Sequence, residues 1–169
     1  EIYLKRAVVG GVDRVFEMNR NFRNEGMDSS HSPEFTSLEA YEAYSDYNGM
    51  ADLTRDLIQQ AARDAFDLPE GGEVVRLADG TEYDLSGQWD RIDLYGSTSE
   101  ALGEEVTVET PRETLVKHAE RIGLEVDDYA VSGKIVEDIF EELVASKLWA
   151  PTFVYDFPED TSPLTRYHR

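Results

Sequence analysis

The sequence predicts an α+β fold, an antiparallel β-sheet with flanking helices, and three observations support this prediction. Two segments of alternating apolar and polar residues flank a polar stretch, Asn24 to Ser32, as in a long-looped antiparallel hairpin. Three longer segments repeat apolar residues at helical spacing. The helices are interleaved among strands of antiparallel type, which favours an α+β arrangement over a doubly wound parallel sheet.

The first part of the chain carries the predicted hairpin. A helix is expected from Glu1 to Val9, because two glycines that suit a helix C-terminus follow it. The first strand is predicted over Arg14 to Arg23. The second strand follows Pro33, and its alternation places one set of residues on a single side: Phe35, Ser37, Glu39, Tyr41 and Ala43.

The middle of the chain is predicted to hold one long helix and a small β-region. The helix covers Asn48 to Phe66 and ends at a stretch that contains proline and glycine. Two short strands, Glu73 to Leu77 and Thr81 to Leu85, are expected around the tight-turn pair Asp79-Gly80. Trp89 to Tyr95 is predicted as a third strand of this region.

The last part of the chain is predicted to hold two helices and a buried strand. One helix begins near Thr110-Pro111 and ends at Gly123, and a second spans Gly133 to Leu148. The strand covers Pro151 to Tyr155. We expect one partial domain over 1–169, with the hairpin and flanking helices in 1–66, a helical and β segment in 67–148, and a final strand and turn in 149–169.

Composition limits the classes of function that remain. The chain has 169 residues, of which 40% are hydrophobic, enough for one domain with a core. No apolar run is long enough to span a bilayer, so we expect a protein without membrane contact. The absence of cysteine fits a cytoplasmic location, which we expect. The absence of cysteine excludes disulfides and thiolate metal sites within this sequence.

Charge argues against a broad nucleic-acid surface. The 16 basic and 36 acidic residues give a net charge of −20, whereas proteins that follow a phosphate backbone concentrate lysine and arginine. Contact with nucleic acid must therefore be local or be made by another domain. The acidity itself fits either a solvated surface or a salt-adapted proteome.

Residues suited to a nucleotide site concentrate in the hairpin. Arg23 offers a planar fork of donors for phosphate or carboxylate, and Glu25 offers an acceptor for an exocyclic amine. Phe35 offers a flat apolar face for a base, and His31 offers positive character near distal phosphates. From the residues alone, an exposed ion pair and an ordinary core aromatic explain the same pattern.

A family resemblance bears on this choice. The segments Phe22-Arg23-Asn24-Glu25-Gly26, His31-Ser32-Pro33-Glu34-Phe35-Thr36 and Glu39-Ala40-Tyr41 resemble motif 2 of class II aminoacyl-tRNA synthetases in its lysyl form. The helix before the hairpin and Tyr44-Ser45-Asp46-Tyr47 after it are similar to the same family. Pro151-Thr152-Phe153-Val154 and Thr161-Ser162-Pro163-Leu164 resemble the strand and turn that precede its final motif.

The resemblance implies a role for each residue of the motif. Arg23 is expected to bridge the α-phosphate of ATP and the carboxylate of lysine, and is the candidate catalytic residue. Glu25 is expected to accept from the adenine amino group, with Phe35 stacked on the ring and His31 near the terminal phosphates.

The lysine side of the site is implied in the same way. Glu1 and Glu39 would face the α-ammonium of lysine, and Tyr41 would help to hold the ε-ammonium. Two alternatives stay open: Glu1 as a solvated first residue, and Glu39 as an ion-pair partner on the sheet. His118 is expected on the surface of its helix, and Ser162-Pro163-Leu164 is expected to be structural.

The function implied is activation of lysine with ATP to lysyl-adenylate and its transfer to tRNA(Lys), by a homodimer. The sequence contains neither the first nor the third family motif, so the magnesium ligands are expected in the absent third motif. We therefore expect a fragment that is incomplete alone, with an apolar patch exposed around Ile2, Leu4, Val8 and Val9 or on the strand of Phe153. The alternatives are a transferase that sends lysine to protein or lipid, and an inactive interaction module.

Overall fold

The computed structural model describes residues 1–24, 26–28 and 31–165. Five α-helices and six β-strands follow one another in this part of the chain, with short 3-10 turns at Ala145–Lys147 and Glu159–Thr161. Their order is α1 (Ile2–Val9), β1 (Arg14–Phe22), β2 (Glu34–Glu42), α2 (Tyr47–Phe66), β3 (Val74–Arg76), β4 (Glu82–Asp84), β5 (Asp90–Asp93), α3 (Leu94–Leu102), α4 (Arg112–Arg121), α5 (Ser132–Leu143) and β6 (Thr152–Tyr155).

The chain divides into two compact units, Glu1–Leu53 and Thr54–Arg169. The division falls within α2, so the boundaries at 66 and 148 expected from the sequence remain a prediction. The α+β class is confirmed, because the described residues contain helices together with two antiparallel strand pairs. No helix in this part of the chain combines the length and the apolar character needed to cross a membrane.

The first unit contains the predicted hairpin. Strands β1 and β2 pair antiparallel over nine residues each, with Val15 opposite Tyr41, Glu17 opposite Glu39 and Asn21 opposite Phe35. Helix α1 packs on the pair and ends at Gly10. Because side chains alternate along a strand, this register puts Phe35, Glu39 and Tyr41 on one face, as predicted.

The opposite face of the hairpin carries exposed apolar side chains beside the Arg20–Glu34 ion pair. Phe16 and Phe22 are each 72% exposed and Met18 is 66% exposed, and Leu38 lies on the same face. The patch expected around the first helix is only partly present, since Ile2 and Val9 are exposed but Leu4 and Val8 are half-buried. Exposed apolar side chains of the first unit thus lie on the hairpin as well as on α1.

The second unit is organised around α5. This helix buries Ile135, Val136, Ile139 and Phe140 against α3 and α4, which contribute Leu94, Leu115 and Ala119. Gly133, in the first turn of α5, donates its N–H to the Asp160 carboxylate at 3.0 Å. A Cβ at Gly133 would overlap that carboxylate and Pro158, so only glycine fits there.

The strand pairing and the helices of the second unit differ from the expectations. Strand β5 does not join β3 and β4 but pairs parallel with β6, with Ile92 opposite Val154. The helices α3 to α5 supply the crossover that a parallel pair requires. Helix α3 was not predicted at all, and it begins at Leu94 with Asp93 as its N-cap, so Tyr95 is helical rather than extended.

The expectation that His118 lies on the surface is wrong. The residue is only 6% exposed, on the face of α4 that carries Leu115 and Ala119. Its Nε2 lies 3.9 Å from a carboxylate oxygen of Glu104, which also pairs with Arg121. Charged neighbours in the sequence suggested exposure, but helical spacing places His118 with the apolar residues three before and one after it.

A buried carboxylate anchors the end of α2 to the strand that follows. Glu73 is 2% exposed, pairs with Arg63 of α2, and accepts the N–H of Gly71 at 3.0 Å. The hydrogen bond from Arg63 is the main reason that the pKa of Glu73 lies below its usual range, and the Gly71 N–H lowers it further. The Arg63–Glu73 pair therefore stabilises the folded state in which Glu73 is ionised.

Replacing Glu73 with Gln should lower the stability of this chain in a pH-dependent way. Because the folded pKa is lowered, the stabilising effect of the carboxylate is present above the pKa of an unfolded glutamate. It is lost as the pH falls through the folded pKa. Urea unfolding at pH 7 should show a less stable variant, and the difference from wild type should shrink towards pH 3.

The matched control is Glu70→Gln, an exposed glutamate three residues earlier. It should leave stability within about 0.5 kcal/mol of wild type. A Glu73→Gln protein as stable as wild type at pH 7 would contradict the role assigned to the Arg63 pair.

Candidate functional site

The site lies on the polar face of the hairpin, and its first part, the arginine end, consists of Arg23 and Phe35. Arg23 directly follows β1, and its N–H donates to the carbonyl of Pro33 at 2.9 Å, which extends the strand pairing by one residue. Its guanidinium carbon lies 5.2 Å from the centroid of the Phe35 ring. This cation–π contact brings the planar donor fork and the flat apolar face together.

The middle of the polar face is a row of small polar side chains. Asn21 donates its amide N–H to the hydroxyl of Ser37, and that hydroxyl donates to Asn19 at 3.5 Å. Ser37 lies between Phe35 and Glu39 on β2, and Asn19 and Asn21 lie beside it on β1. A ligand that crosses this face therefore meets hydrogen-bonding groups rather than apolar ones.

The second part of the site, the acidic end, contains Glu1, Lys5, Glu39 and Tyr41. The Tyr41 hydroxyl donates to Glu39 Oε2 at 3.0 Å. Burial and then this hydrogen bond raise the pKa of Tyr41, so its phenol is protonated at neutral pH. Since the phenol proton points to Glu39, the lone pairs of the oxygen remain able to accept from an ammonium group.

Helix α1 brings a second carboxylate to the acidic end. The Glu1 carboxylate pairs with Lys5 one turn along the chain. The Lys5 ammonium also lies 5.7 Å from the centroid of the Tyr41 ring. The Lys5 hydrogen bond is the main reason that the pKa of Glu1 lies below its usual range, which favours its ionised form.

His31 lies in the loop between the strands and is held by Asp28. The His31 backbone N–H donates to Asp28 Oδ1 at 2.7 Å, and its ring Nδ1 lies 2.9 Å from Asp28 Oδ2. These contacts fix the ring orientation within the loop. Glu25, the other residue predicted for the nucleotide, lies outside the described residues.

Sequence reasoning missed two residues of this site, Lys5 and Asp28. Each pairs with a predicted residue at helical or turn spacing, Lys5 four after Glu1 and Asp28 three before His31. Spacing of opposite charges at three or four residues is a signal that could have found them. The contact of Lys5 with Tyr41 has no such signal, because it joins α1 to β2.

The described side chains of the site do not form a cluster of metal ligands. Within residues 1–24, 26–28 and 31–165, no three or more His, Asp or Glu side chains are grouped so as to hold a metal ion. The polar face instead offers cationic and aromatic groups at the arginine end and two carboxylates with a phenol at the acidic end. This arrangement suits an anionic, flat group at one end and an ammonium group at the other.

A protein-family comparison decides what kind of chain this is. The model of the family described as tRNA synthetases class II (D, K and N) matches residues 1–169, the whole chain. The chain belongs to this family. The resemblance inferred from the motif is therefore confirmed, and the α+β fold of this class II synthetase chain agrees with it.

Individual relatives agree with the lysyl form of the motif. The chain is 56% identical over 170 residues to a lysine–tRNA ligase of Kineococcus radiotolerans and 57% identical over 171 residues to one of Mycolicibacterium gilvum. All of this class II synthetase chain is covered in both comparisons, but only 33% of each relative. It thus spans about a third of the length of these relatives.

A relative with a different name is also similar. The Gordonia bronchialis protein named lysylphosphatidylglycerol biosynthesis bifunctional protein LysX is 47% identical over 172 residues. The match covers the whole class II synthetase chain and 15% of the relative. The same segment therefore occurs in proteins of different length and different name.

Proposed function

We propose that this chain supplies the part of a lysine–tRNA ligase that binds ATP and lysine. The ligase activates lysine with ATP to lysyl-adenylate and transfers it to tRNA(Lys). The observation that carries the proposal is the hairpin face on which Arg23 lies over Phe35 while Glu39 and Tyr41 are hydrogen-bonded farther along the same strand. Phe35 and Glu39 are four residues apart, about 13 Å along a strand, which leaves room for the reacting groups between them.

At the arginine end, Arg23 grips the α-phosphate of ATP and the carboxylate of lysine together. Attack of the carboxylate oxygen on the α-phosphorus forms the mixed anhydride and releases pyrophosphate. Negative charge develops in the transition state. Once ATP is bound and Arg23 lies at the phosphate, its guanidinium stabilises this charge and orients both reactants. No general base is needed, because the lysine carboxylate is ionised at neutral pH.

Adenine binds on Phe35 in this proposal. The Arg23 guanidinium covers one side of the ring, so a base on that side requires Arg23 to swing towards the phosphate. Glu25 accepts from the adenine amino group, and His31 lies near the terminal phosphates, with Asp28 holding its ring. Magnesium is expected with ATP, but the described residues offer it no ligand cluster.

At the acidic end, Glu1 and Glu39 bind the α-ammonium of lysine and Tyr41 accepts from the ε-ammonium. The support is chemical: two ionised carboxylates and a phenol oxygen with available lone pairs suit a substrate with two ammonium groups. In the complete enzyme we expect tRNA(Lys) as acceptor, a homodimer and a cytoplasmic location.

The test is a chimera in which this chain replaces the aligned third of the Kineococcus radiotolerans ligase. Lysine-dependent ATP–pyrophosphate exchange and charging of tRNA(Lys) are measured against the unaltered ligase. Activity within about tenfold of that ligase supports the proposal. A chimera that is folded by circular dichroism but makes no lysyl-adenylate overturns it.

Replacing Phe35 with Leu in this chimera should weaken ATP binding chiefly. The lost ring face serves ground state and transition state alike, so KM for ATP should rise about tenfold while kcat changes about twofold or less. The matched control is Phe22→Leu, on the opposite, exposed face of the hairpin. If both variants raised KM for ATP equally, the stacking role of Phe35 would be wrong.

A second candidate function follows from the LysX match. In this alternative, the same adenylate chemistry delivers lysine to a lipid or protein acceptor. The 47% identity to the Gordonia bronchialis protein supports this alternative. The two candidate functions differ in the molecule that accepts lysine. Charging of tRNA(Lys) by the chimera supports the first function, whereas adenylate formation without tRNA charging supports the second.

A further inference from the structure

We propose that Lys5 is a positioning residue for lysine recognition, which holds the helix-borne Glu1 carboxylate against the strand-borne Tyr41 and Glu39. The inference rests on the proposed function, because it assumes that this end of the site binds lysine. It adds a residue that the motif does not contain. Lys5 lies on α1, whereas Tyr41 and Glu39 lie on β2.

The geometry joins two elements through one side chain. Glu1 and Lys5 are four residues apart, so helical periodicity places them on one side of α1, and their side chains form an ion pair. The same ammonium lies 5.7 Å from the Tyr41 ring centroid. Tyr41 in turn donates to Glu39. A continuous path of contacts thus runs from Glu1 through Lys5 and Tyr41 to Glu39.

The charge of Lys5 explains how this path of contacts would help to bind lysine. The Lys5 ammonium pairs with the Glu1 carboxylate and lies over the Tyr41 ring, and Tyr41 donates to Glu39, so two negative charges share the acidic end. The Glu1 hydrogen bond is the main reason that the pKa of Lys5 is raised, with Tyr41 and Glu39 contributing after it. The charged ammonium offsets the repulsion between the carboxylates before the substrate arrives.

Lys5 is expected to hold the Glu1 side chain in its binding position before lysine arrives. Without Lys5, the Glu1 side chain is free to turn into solvent, since it is 61% exposed. Binding of the lysine α-ammonium would then have to order it first, which weakens affinity. An exposed ion pair within one helix contributes little to stability, so a purely structural role would leave substrate affinity unchanged.

The test uses the ligase chimera with Lys5→Met and Lys5→Arg. Lys5→Met should raise KM for lysine about tenfold while kcat and KM for ATP change about twofold or less, because only ground-state ordering of Glu1 is lost. Lys5→Arg keeps the positive charge for Glu1 and for the Tyr41 ring, so it should restore most of the affinity. Lys117→Met, at an exposed lysine on α4, is the matched control.

A ligand pair makes the test specific for Glu1. Lysine carries the α-ammonium and 6-aminohexanoate lacks it, so Lys5→Met should weaken the binding of lysine several-fold more than the inhibition by 6-aminohexanoate. If Lys5→Met leaves KM for lysine unchanged while Glu1→Gln raises it, the positioning role is overturned and the proposed function stands. If Glu1→Gln also has no effect, the proposed assignment of Glu1 is overturned together with the inference.

Discussion

Replacing Arg23 with Lys in the ligase chimera should slow lysine-dependent ATP–pyrophosphate exchange about a hundredfold or more at saturating ATP and lysine. The charge remains, but a point-like ammonium cannot hold phosphate and carboxylate together as the planar fork of a guanidinium does. An interaction made fully only in the transition state is lost, so kcat should fall more than ATP binding weakens. Single-turnover measurement of lysyl-adenylate formation would give the rate of the chemical step directly.

The matched control for Arg23→Lys is Arg20→Lys, three residues earlier in β1. Arg20 lies on the opposite face of the hairpin, where its guanidinium is 3.3 Å from Glu34 and mostly exposed. This change should leave turnover within about twofold of the chimera. Near-normal turnover of the Arg23→Lys chimera would show that the central assignment of the site is wrong.

Replacing Ile139 with Ala should destabilise this chain by about 3 kcal/mol. Ile139 is 0% exposed and lies on α5, in the core that also contains Leu94, Leu115 and Phe140. The loss combines the transfer of apolar atoms to water with the cavity that the neighbours cannot fill. Urea unfolding followed by circular dichroism measures it as a shift of midpoint at unchanged m-value.

Two further variants sharpen the test of this core. Ile139→Val removes one methylene and should cost about 1 kcal/mol. Glu141→Ala, at an exposed position of the same helix, should change stability by about 0.5 kcal/mol or less. If Ile139→Ala cost no more than Glu141→Ala, the second unit would not have the close-packed interior that its burial pattern indicates.

The hairpin and its residues could be predicted because they depend on short-range patterns. Alternation with period two fixed which residues share a face, and a polar loop between two such runs fixed their antiparallel pairing. The observed pairing, from Arg14 opposite Glu42 to Phe22 opposite Glu34, agrees with this pattern, whereas the register itself comes from the structure. The motif residues were recognised from their sequence order, whereas the resemblance, and not the geometry, supplied their roles.

The acidic end was only partly predictable. Glu39 and Tyr41 follow from alternation on one strand, and Glu1 was proposed from the family pattern. Lys5 was missed, because its contact with Tyr41 depends on how α1 packs on the hairpin. Helical spacing could have paired Lys5 with Glu1, but it could not have brought either of them to a strand more than thirty residues away.

By itself, the sequence determined the α+β class, the polar face of the hairpin and the family to which the chain belongs. Only the tertiary structure decided that β5 pairs parallel with β6, that α3 stands between them in the chain, and that His118 is buried. Local periodicity indicates which side of a helix or strand is apolar. The periodicity of a strand is the same whether its neighbouring strand is parallel or antiparallel. Strand direction and burial depend on which distant segments cover that side, and packing alone settles this.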